Sequence, residues 1–298
     1  MLVSSMDLRP VNPAADLPAL DHLFDLAEEC DGHRPIGEHK YLDLIQPDPD
    51  GVTGIVGELD STPIAYVAIG HMPETNTCAM ELALHPMHRD LETMETMISA
   101  GVDRVRTVCG RAVRIWAFQP HIALALERMG FEEERELRQL RRPLPPDRPP
   151  EFQTEVEIEG FVLGQDEESL LTLNNRAFAG HPENGRWTTD VLEDRMSQPW
   201  FSATGVRMAW VDDTLAGFCW TKRHDASLGE IYVIAVDPEY QGRGLGRALV
   251  LEGMRHMSNR GLSSVMLYVD ADNHAGLSLY EQLGFRLDHI DRSFIKAV

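Results

Sequence analysis

Apolar positions recur every three to four residues over 15–30, with Leu20, Leu23, Phe24 and Ala27 on one face, and that spacing predicts a helix. A polar loop over 31–39 follows. Period-two and β-branched runs predict strands at 54–59 and 64–70, joined by a turn at Asp60-Ser61-Thr62-Pro63, and another at 77–85. Helical spacing returns over 91–108, a strand over 112–117, a helix over 121–129 stopped by Gly130, and a strand over 131–142. Beyond residue 150 the same order begins again. It predicts a helix over 169–178, a polar loop over 179–187, hairpin strands over 206–211 and 215–222, and a strand over 230–236. A helix over 245–260 ended by Gly261, a strand over 264–269, a helix over 274–283 stopped by Gly284, and strands over 285–291 and 293–296 complete it.

The halves answer each other in detail. His85-Pro86 corresponds to Asp237-Pro238, and the run from Ala123 to Gly130-Phe131 corresponds to the run from Gly276 to Gly284-Phe285. A repeat of this length is a duplicated domain rather than a solenoid. Between the copies lies Arg141-Arg-Pro-Leu-Pro-Pro-Asp-Arg-Pro-Pro150, whose five prolines exclude a helix or sheet interior and predict a stiff extended linker. The expected division is a domain over 1–142, a linker over 143–150 and a second domain over 151–298. The fold class is α+β, each domain a mixed sheet with helices.

One stretch carries chemistry. The strand 230–236 ends at Asp237-Pro238, and Gln241-Gly-Arg-Gly-Leu-Gly-Arg247 leads into an apolar helical run. Glycines let backbone N–H groups converge on an anion, and the helix N-terminus adds partial positive charge, so the stretch suits a phosphate or pyrophosphate. The spacing G-x-G-x-G is not the dinucleotide fingerprint, and no Gly-Lys-Ser/Thr marks a P-loop. The first half has Met87-His-Arg-Asp-Leu-Glu-Thr-Met94 at this place, with no glycine and two acids, so that copy is expected to be catalytically silent.

Composition narrows the partners. A net charge of −21 argues against nucleic acid, and Arg243 and Arg247 would have to supply the local positive charge an anion needs. No run of 18 apolar residues predicts a membrane span, and no cationic leader precedes an apolar core, so a cytoplasmic protein is expected. Cys30, Cys78, Cys109 and Cys219 form no C-x-x-C and read as buried thiols of a reducing compartment. No H-E-x-x-H or similar cluster predicts a metal.

The string Gln-Gly-Arg-Gly-Leu-Gly after Val-Asp-Pro resembles the acyl-CoA loop of the GNAT acyltransferase superfamily, and both halves look like GNAT domains. Further strings narrow the resemblance to the mycothiol synthase family of tandem GNAT acetyltransferases: Arg135-Glu-Leu-Arg-Gln-Leu-Arg-Arg-Pro-Leu144, Asn174-Asn-Arg-Ala-Phe178, His181-Pro-Glu183, Trp220-Thr-Lys222, Gly229-Glu-Ile-Tyr-Val233 and Leu267-Tyr-Val-Asp-Ala-Asp-Asn273. That family acetylates the cysteinyl amine of Cys-GlcN-Ins.

The resemblance implies acetyl-CoA as co-substrate, held by Ile234, Ala235 and Val236, by Gln241, Gly242, Arg243, Gly244, Leu245, Gly246 and Arg247, and by Asn273, His274, Ala275, Gly276, Leu277 and Ser278. It implies Glu38, Glu183, Lys222, Glu230 and Tyr268 as substrate-binding residues, Glu230 as general base, and Tyr280 as the acid that protonates the leaving thiolate. By alternation Glu230 would share a face with Tyr232, Ile234 and Val236. Bland alternatives stay open: Asn273 as a plain helix cap, Tyr280 as a packed aromatic, the acids as solvated side chains. A monomer acting on a small molecule is expected. A tandem acetyltransferase for another amine, such as an aminoglycoside or a peptide N-terminus, and a non-catalytic acyl-CoA sensor remain as alternatives.

Overall fold

A computed structural model describes residues 6–45, 52–72, 77–108, 111–152, 156–179 and 187–298. The first half runs β1 (Asp7–Pro10), α1 (Pro13–Asp31), α2 (Glu38–Ile45), β2 (Val52–Leu59), β3 (Thr62–Met72), β4 (Thr77–Leu84), α3 (Leu91–Val108), β5 (Ala112–Ala117), α4 (Pro120–Arg128) and β6 (Glu132–Pro143). The second half repeats that order as β7 (Glu157–Gly160), α5 (Glu167–Ala177), α6 (Thr189–Met196), β8 (Val206–Val211), β9 (Thr214–Arg223), β10 (Leu228–Val236), α7 (Leu245–Asn259), β11 (Ser264–Asp270), α8 (His274–Gln282) and β12 (Arg286–Ala297). A one-turn 3-10 helix follows β4 (Pro86–His88) and β10 (Pro238–Tyr240) alike.

The duplication extends to backbone angles. The β2–β3 and β8–β9 hairpins each turn on two residues with positive φ, Asp60 and Ser61 at 50° and 65°, Asp212 and Asp213 at 46° and 61°. Paired left-handed residues match the twist of the flanking strands. The residue before each 3-10 turn accepts a hydrogen bond from a backbone N–H two positions on: His85 Nδ1 from Met87 at 3.2 Å, Asp237 Oδ1 from Glu239 at 2.9 Å. Gly130 and Gly284 end α4 and α8 at φ 77° and 85°, in the left-handed region where a side chain would be strained.

The chain forms two compact units, residues 1–137 with 290–298, and residues 138–289. The boundary between Leu137 and Arg138 falls inside β6, ahead of the proline run. The last nine residues belong to the first unit because β12 is one long strand, not two. Its second half pairs antiparallel with β5 from Arg292–Ala117 to Ala297–Ala112. In the proline run Leu144 N–H donates to Ser263 at 2.8 Å, and buried Arg142 donates to the carbonyls of Leu283 and Pro143.

In the first unit, β2, β3 and β4 are antiparallel and β4 is parallel to β5. In the second, β7 through β10 are antiparallel in sequence order and β10 is parallel to β11. Helices cover both faces of the second unit's sheet. Leu249, Val250 and Met254 of α7 pack on Ile231 and Cys219. On the other face Leu170, Leu173 and Leu192 of α5 and α6 pack on Phe218, Trp220, Val233 and Ala235. Each fully buried leucine, valine, isoleucine, methionine or phenylalanine among them contributes roughly 1.5–3 kcal/mol.

Helices α2 and α6 are additions to the expected elements: the expected polar loop 31–39 ends just inside α2, and the loop 179–187 ends before α6. Cys30 is exposed and Cys78 is disulfide-bonded, which corrects the reading of four buried thiols. Cys219 is buried and free, and burial pushes its thiol pKa upward.

Candidate active site in the second unit

The site is built where β10 leaves β11. These strands pair in parallel only from Leu228–Ser264 to Glu230–Met266, although β10 runs on to Val236 and β11 to Asp270. Beyond Glu230 the backbone groups of β10 that point away from β9 have lost their ladder partner. Unpaired strand edges of this kind accept an added strand.

A β-bulge sharpens the geometry. The β9 register runs Glu230–Lys222 and Ile231–Thr221, then slips so that Val233 faces Trp220. Tyr232 is the extra residue. It and Val233 both pack on the α5 side, with Ala235, while Ile231, Ile234 and Val236 pack on the α7 side. The expected common face of Glu230, Tyr232, Ile234 and Val236 is therefore corrected: one inserted residue reverses the alternation after it.

Glu230 opens the site. Only 7% of its surface is exposed, and its Oε2 lies 2.7 Å from His224 Nε2. Lys222 stands opposite Glu230 across the β9–β10 pair, and its ammonium lies 4.6 Å from the ring centre of Trp200 and 5.6 Å from that of Tyr232. Tyr232 packs edge to face on Trp200 and Trp220 at centroid distances of 4.9 and 5.7 Å, and the two indoles lie tilted at 6.2 Å. Tyr268 lies two residues beyond Met266, the partner of Glu230 on β11. It is 41% exposed, and its hydroxyl accepts a 2.7 Å hydrogen bond from Gln139. Lys222, Glu230 and Tyr268 thus gather around the start of the splay. The side chain of Glu38, at the start of α2, and the whole of Glu183 lie outside the described residues.

The glycine-rich loop follows the strand. Gly242 and Gly244 have φ 74° and 81°, and a Cβ on Gly242 would meet no atom within 4 Å. Gly244 caps α7 with no side-chain hydrogen bond, and the first helical bond is Ala248 N–H to Gly244 O at 3.1 Å. The N–H groups of Leu245, Gly246 and Arg247 therefore point out of the helix end uncommitted. Arg243 stacks 5.5 Å from the Tyr240 ring centre, and Arg247 donates to Gln282 at 3.4 Å. Uncapped N–H groups, two arginines and an open glycine cradle fit a pyrophosphate.

The first unit has closed the same place. Asp90 Oδ1 and Oδ2 accept from Thr93 N–H at 2.9 Å and its hydroxyl at 2.8 Å, capping α3 from within. Arg89 makes two 2.7 Å bonds to Asp31.

Tyr280 sits on α8, 7% exposed, with its ring 5.8 Å from Phe285. Burial and the neighbouring Cys219 push its phenol pKa well up, and Cys219 is the cross-strand partner of Ile234. The phenol is thus held protonated on the α7 side of β10, while the Glu230–Lys222 pair belongs to the other face. Phe285 N–H bonds to Tyr280 O and Phe131 N–H to Leu126 O, each at 3.0 Å, so Leu126 is the first unit's counterpart and no phenol stands there. Asn273 is indeed a cap: its Oδ1 accepts from Gly276 N–H at 2.9 Å, which places His274, Ala275, Gly276, Leu277 and Ser278 on the first turn of α8. His224 and Trp200 were missed. The signal for His224 was its place two residues after Lys222, on the same face of β9.

Residues 168–285 match the Acetyltransferase (GNAT) family. Over 91% of its length the chain is 40% identical to a mycothiol acetyltransferase of Thermobispora bispora, 92% of which is covered. The chain belongs to the mycothiol acetyltransferase family. Another member, from Streptomyces coelicolor, is 40% identical over 88% of this chain and 86% of its own. Among solved structures, a tandem GNAT protein from the clavulanic acid biosynthesis pathway superposes with a TM-score of 0.77 at 14% identity, covering 98% of both chains. A GCN5-related N-acetyltransferase from Sphaerobacter thermophilus gives 0.75 at 22% identity over 98% and 95%. These two share the fold. The protein is an acetyltransferase, built from two GNAT-like halves. Among the described residues no cluster of three or more His, Cys, Asp or Glu could hold a metal, and no helix is long and apolar enough to cross a membrane.

Proposed function

We propose that the protein transfers acetyl from acetyl-CoA to the cysteinyl amine of Cys-GlcN-Ins, forming mycothiol, with the chemistry in the second unit. The observation that carries the acetyl-CoA reading is the uncapped N-terminus of α7 beside the parting of β10 from β11. It offers pyrophosphate donors and an open strand edge in one place. The choice of amine is supported by the mycothiol acetyltransferases that match this chain nearly end to end.

Residues 241–247 hold the pyrophosphate, and main-chain groups of Ile234, Ala235 and Val236 pair with the pantetheine amides. The start of α8, Asn273 to Ser278, serves the same cofactor, and the far end of that helix is tied to the loop through Gln282–Arg247. The amine nitrogen bonds to the acetyl carbonyl carbon and the carbon–sulfur bond breaks. Glu230 accepts the proton the nitrogen loses, and Tyr280, kept protonated by burial, gives its proton to the departing sulfur. A backbone N–H near Ala235 or Val236 stabilises the charge that builds on the carbonyl oxygen. Lys222, Tyr268, Glu38 and Glu183 bind the acceptor. The first unit, with Asp90 in its helix cap and Leu126 in place of the tyrosine, does no chemistry. The protein works as a cytoplasmic monomer without a metal.

The test is product mass after incubation with acetyl-CoA and Cys-GlcN-Ins, run beside glucosamine, free cysteine and an aminoglycoside. The expected result is an N-acetyl product mainly from Cys-GlcN-Ins. Preferential acetylation of another amine would keep the acetyl-CoA site and overturn the acceptor. Acetyl-CoA binding with no turnover of any amine would favour a sensor.

A further inference from the structure

We propose that His224 is the positioning residue that keeps the Glu230 carboxylate charged and aimed. This rests on the reading of Glu230 as the general base. Glu230 is nearly buried, and a carboxylate out of water needs a donor to stay ionised. Among the described residues Glu230 is hydrogen-bonded to the His224 ring, with Nε2 at 2.7 Å from Oε2. A carboxylate can only accept, so the proton of this bond belongs to Nε2. The bond occupies Oε2 and leaves Oε1 as the atom offered to the amine.

The imidazole is well placed for the role. His224 lies just past the end of β9, on the face shared by Lys222, diagonal to Glu230 across the strand pair. Its side chain is 31% exposed against 9% for Glu230, because it opens into a pocket of about 420 Å³ bounded by Trp200, Ser202, Thr221, His256 and Arg260. The pair is thus buried at the carboxylate and wet at the imidazole. The charged and titratable groups around the ring are Glu230 on β10, Lys222, Arg223 and Asp225 along its own strand and turn, and His256 and Arg260 on α7. Burial and nearby arginines push the His256 pKa down to about 4, so near neutral pH it adds no positive charge beside the pair.

The experiment compares the pH profile of kcat/KM for His224→Ala, His224→Gln and Glu230→Gln with that of the unaltered protein, with Tm measured for each. Removing a donor to a charged acceptor moves the acid limb to higher pH by about one to two units. That is the result expected for His224→Ala, with the rate approaching the original plateau at high pH. Glutamine keeps an N–H donor, so His224→Gln is expected to restore the limb to near its original place. An unmoved limb in His224→Ala would overturn the proposal, and so would an equal displacement in His224→Gln. The glutamine variant and the Tm values separate loss of the bond from loss of folding. Glu230→Gln separates the two readings. If it loses the rate while the His224→Ala limb stays put, Glu230 remains the base and this inference fails. If Glu230→Gln keeps both rate and limb, the base assignment itself fails.

Discussion

Replacing Gly242 with alanine tests the cradle with a single methyl group. Gly242 holds φ 74°, and the new Cβ would meet nothing within 4 Å, so the perturbation is purely conformational. A left-handed backbone costs an L-residue roughly 1–2 kcal/mol. The loop is exposed, so the free protein escapes that cost by relaxing into another conformation, and the cost falls on binding, which requires the cradle. At 1.4 kcal/mol per tenfold, acetyl-CoA affinity should drop about 5- to 30-fold. Isothermal titration with acetyl-CoA reads this directly, and Tm without ligand should change little. The control is Gly261→Ala, at φ 86° and also with nothing within 4 Å, but at the far end of α7. Gly261 closes that helix through N–H bonds to Ser258 at 2.9 Å and, from Leu262, to Met257 at 3.2 Å. Its strain should lower Tm by a few degrees and leave affinity alone. If Gly242→Ala binds acetyl-CoA as tightly as the unaltered protein, or if Gly261→Ala weakens binding equally, the cradle argument is wrong.

Three further outcomes test the packing and electrostatics. Gly253→Ala puts a Cβ 2.5 Å from Cys219 Sγ and 2.8 Å from Ile231 Cδ1 in the α7 interface, and should cost about 1–3 kcal/mol in urea unfolding. Glu252, 2% exposed, binds Arg207 at 3.0 Å and Arg255 at 2.7 Å. Glu252→Ala strands the mostly buried Arg207 and should cost about 3–5 kcal/mol, whereas Arg255→Ala, removing a half-exposed partner, should cost at most about 1 kcal/mol. In the first unit burial raises the Glu81 pKa above its ordinary 4.5, opposed by the Gly37 N–H bond and by Lys40. The fold favours the protonated acid, so its stabilising share is full below pH 4.5 and is lost as pH rises through the raised value. Glu81→Gln should therefore raise Tm at pH 7–8 by more than at pH 4, and an equal Tm difference at both would refute the assignment.

The long periodic segments were readable because one repeat distance spans several turns. The predicted 91–108, 112–117 and 206–211 coincide with α3, β5 and β8. The eight-residue helices α2 and α6 were not read, since two turns in a polar stretch leave too few apolar positions to establish a period. The bulge at Tyr232 was invisible for a different reason. Both faces of β10 are buried, so from Ile231 to Val236 its residues are mostly apolar whichever way they point, and composition carries no sign of the slip. The glycine cradle was legible because positive φ selects glycine. For His224 the shared face with Lys222 was legible by alternation, but its pairing with Glu230 was not, since that partner lies across a hairpin whose register the sequence does not state.

The two halves show what separates a GNAT frame from a GNAT site. Both keep the parting strands: β4 pairs with β5 only from Cys78–Val113 to Met80–Ile115, as β10 does with β11 over three residues. Both keep the same 3-10 turn before the helix. The parting alone therefore follows from the fold and carries no evidence of activity. What differs is local. Strands β3 and β4 keep one register from Ala65–Leu84 to Met72–Thr77, with no bulge to re-aim a side chain. The α3 terminus is filled by Asp90, whose carboxylate satisfies the N–H groups an anion would need and repels the anion as well. Adding a glycine loop alone should then leave the first unit unable to bind acetyl-CoA. Removing Asp90 alone should uncap α3, at a cost of about 0.5–2 kcal/mol, without creating a cradle. Only the combination frees donors and backbone together, so detectable binding at the first unit after either single change would show that the fold, and not the loop chemistry, makes the site.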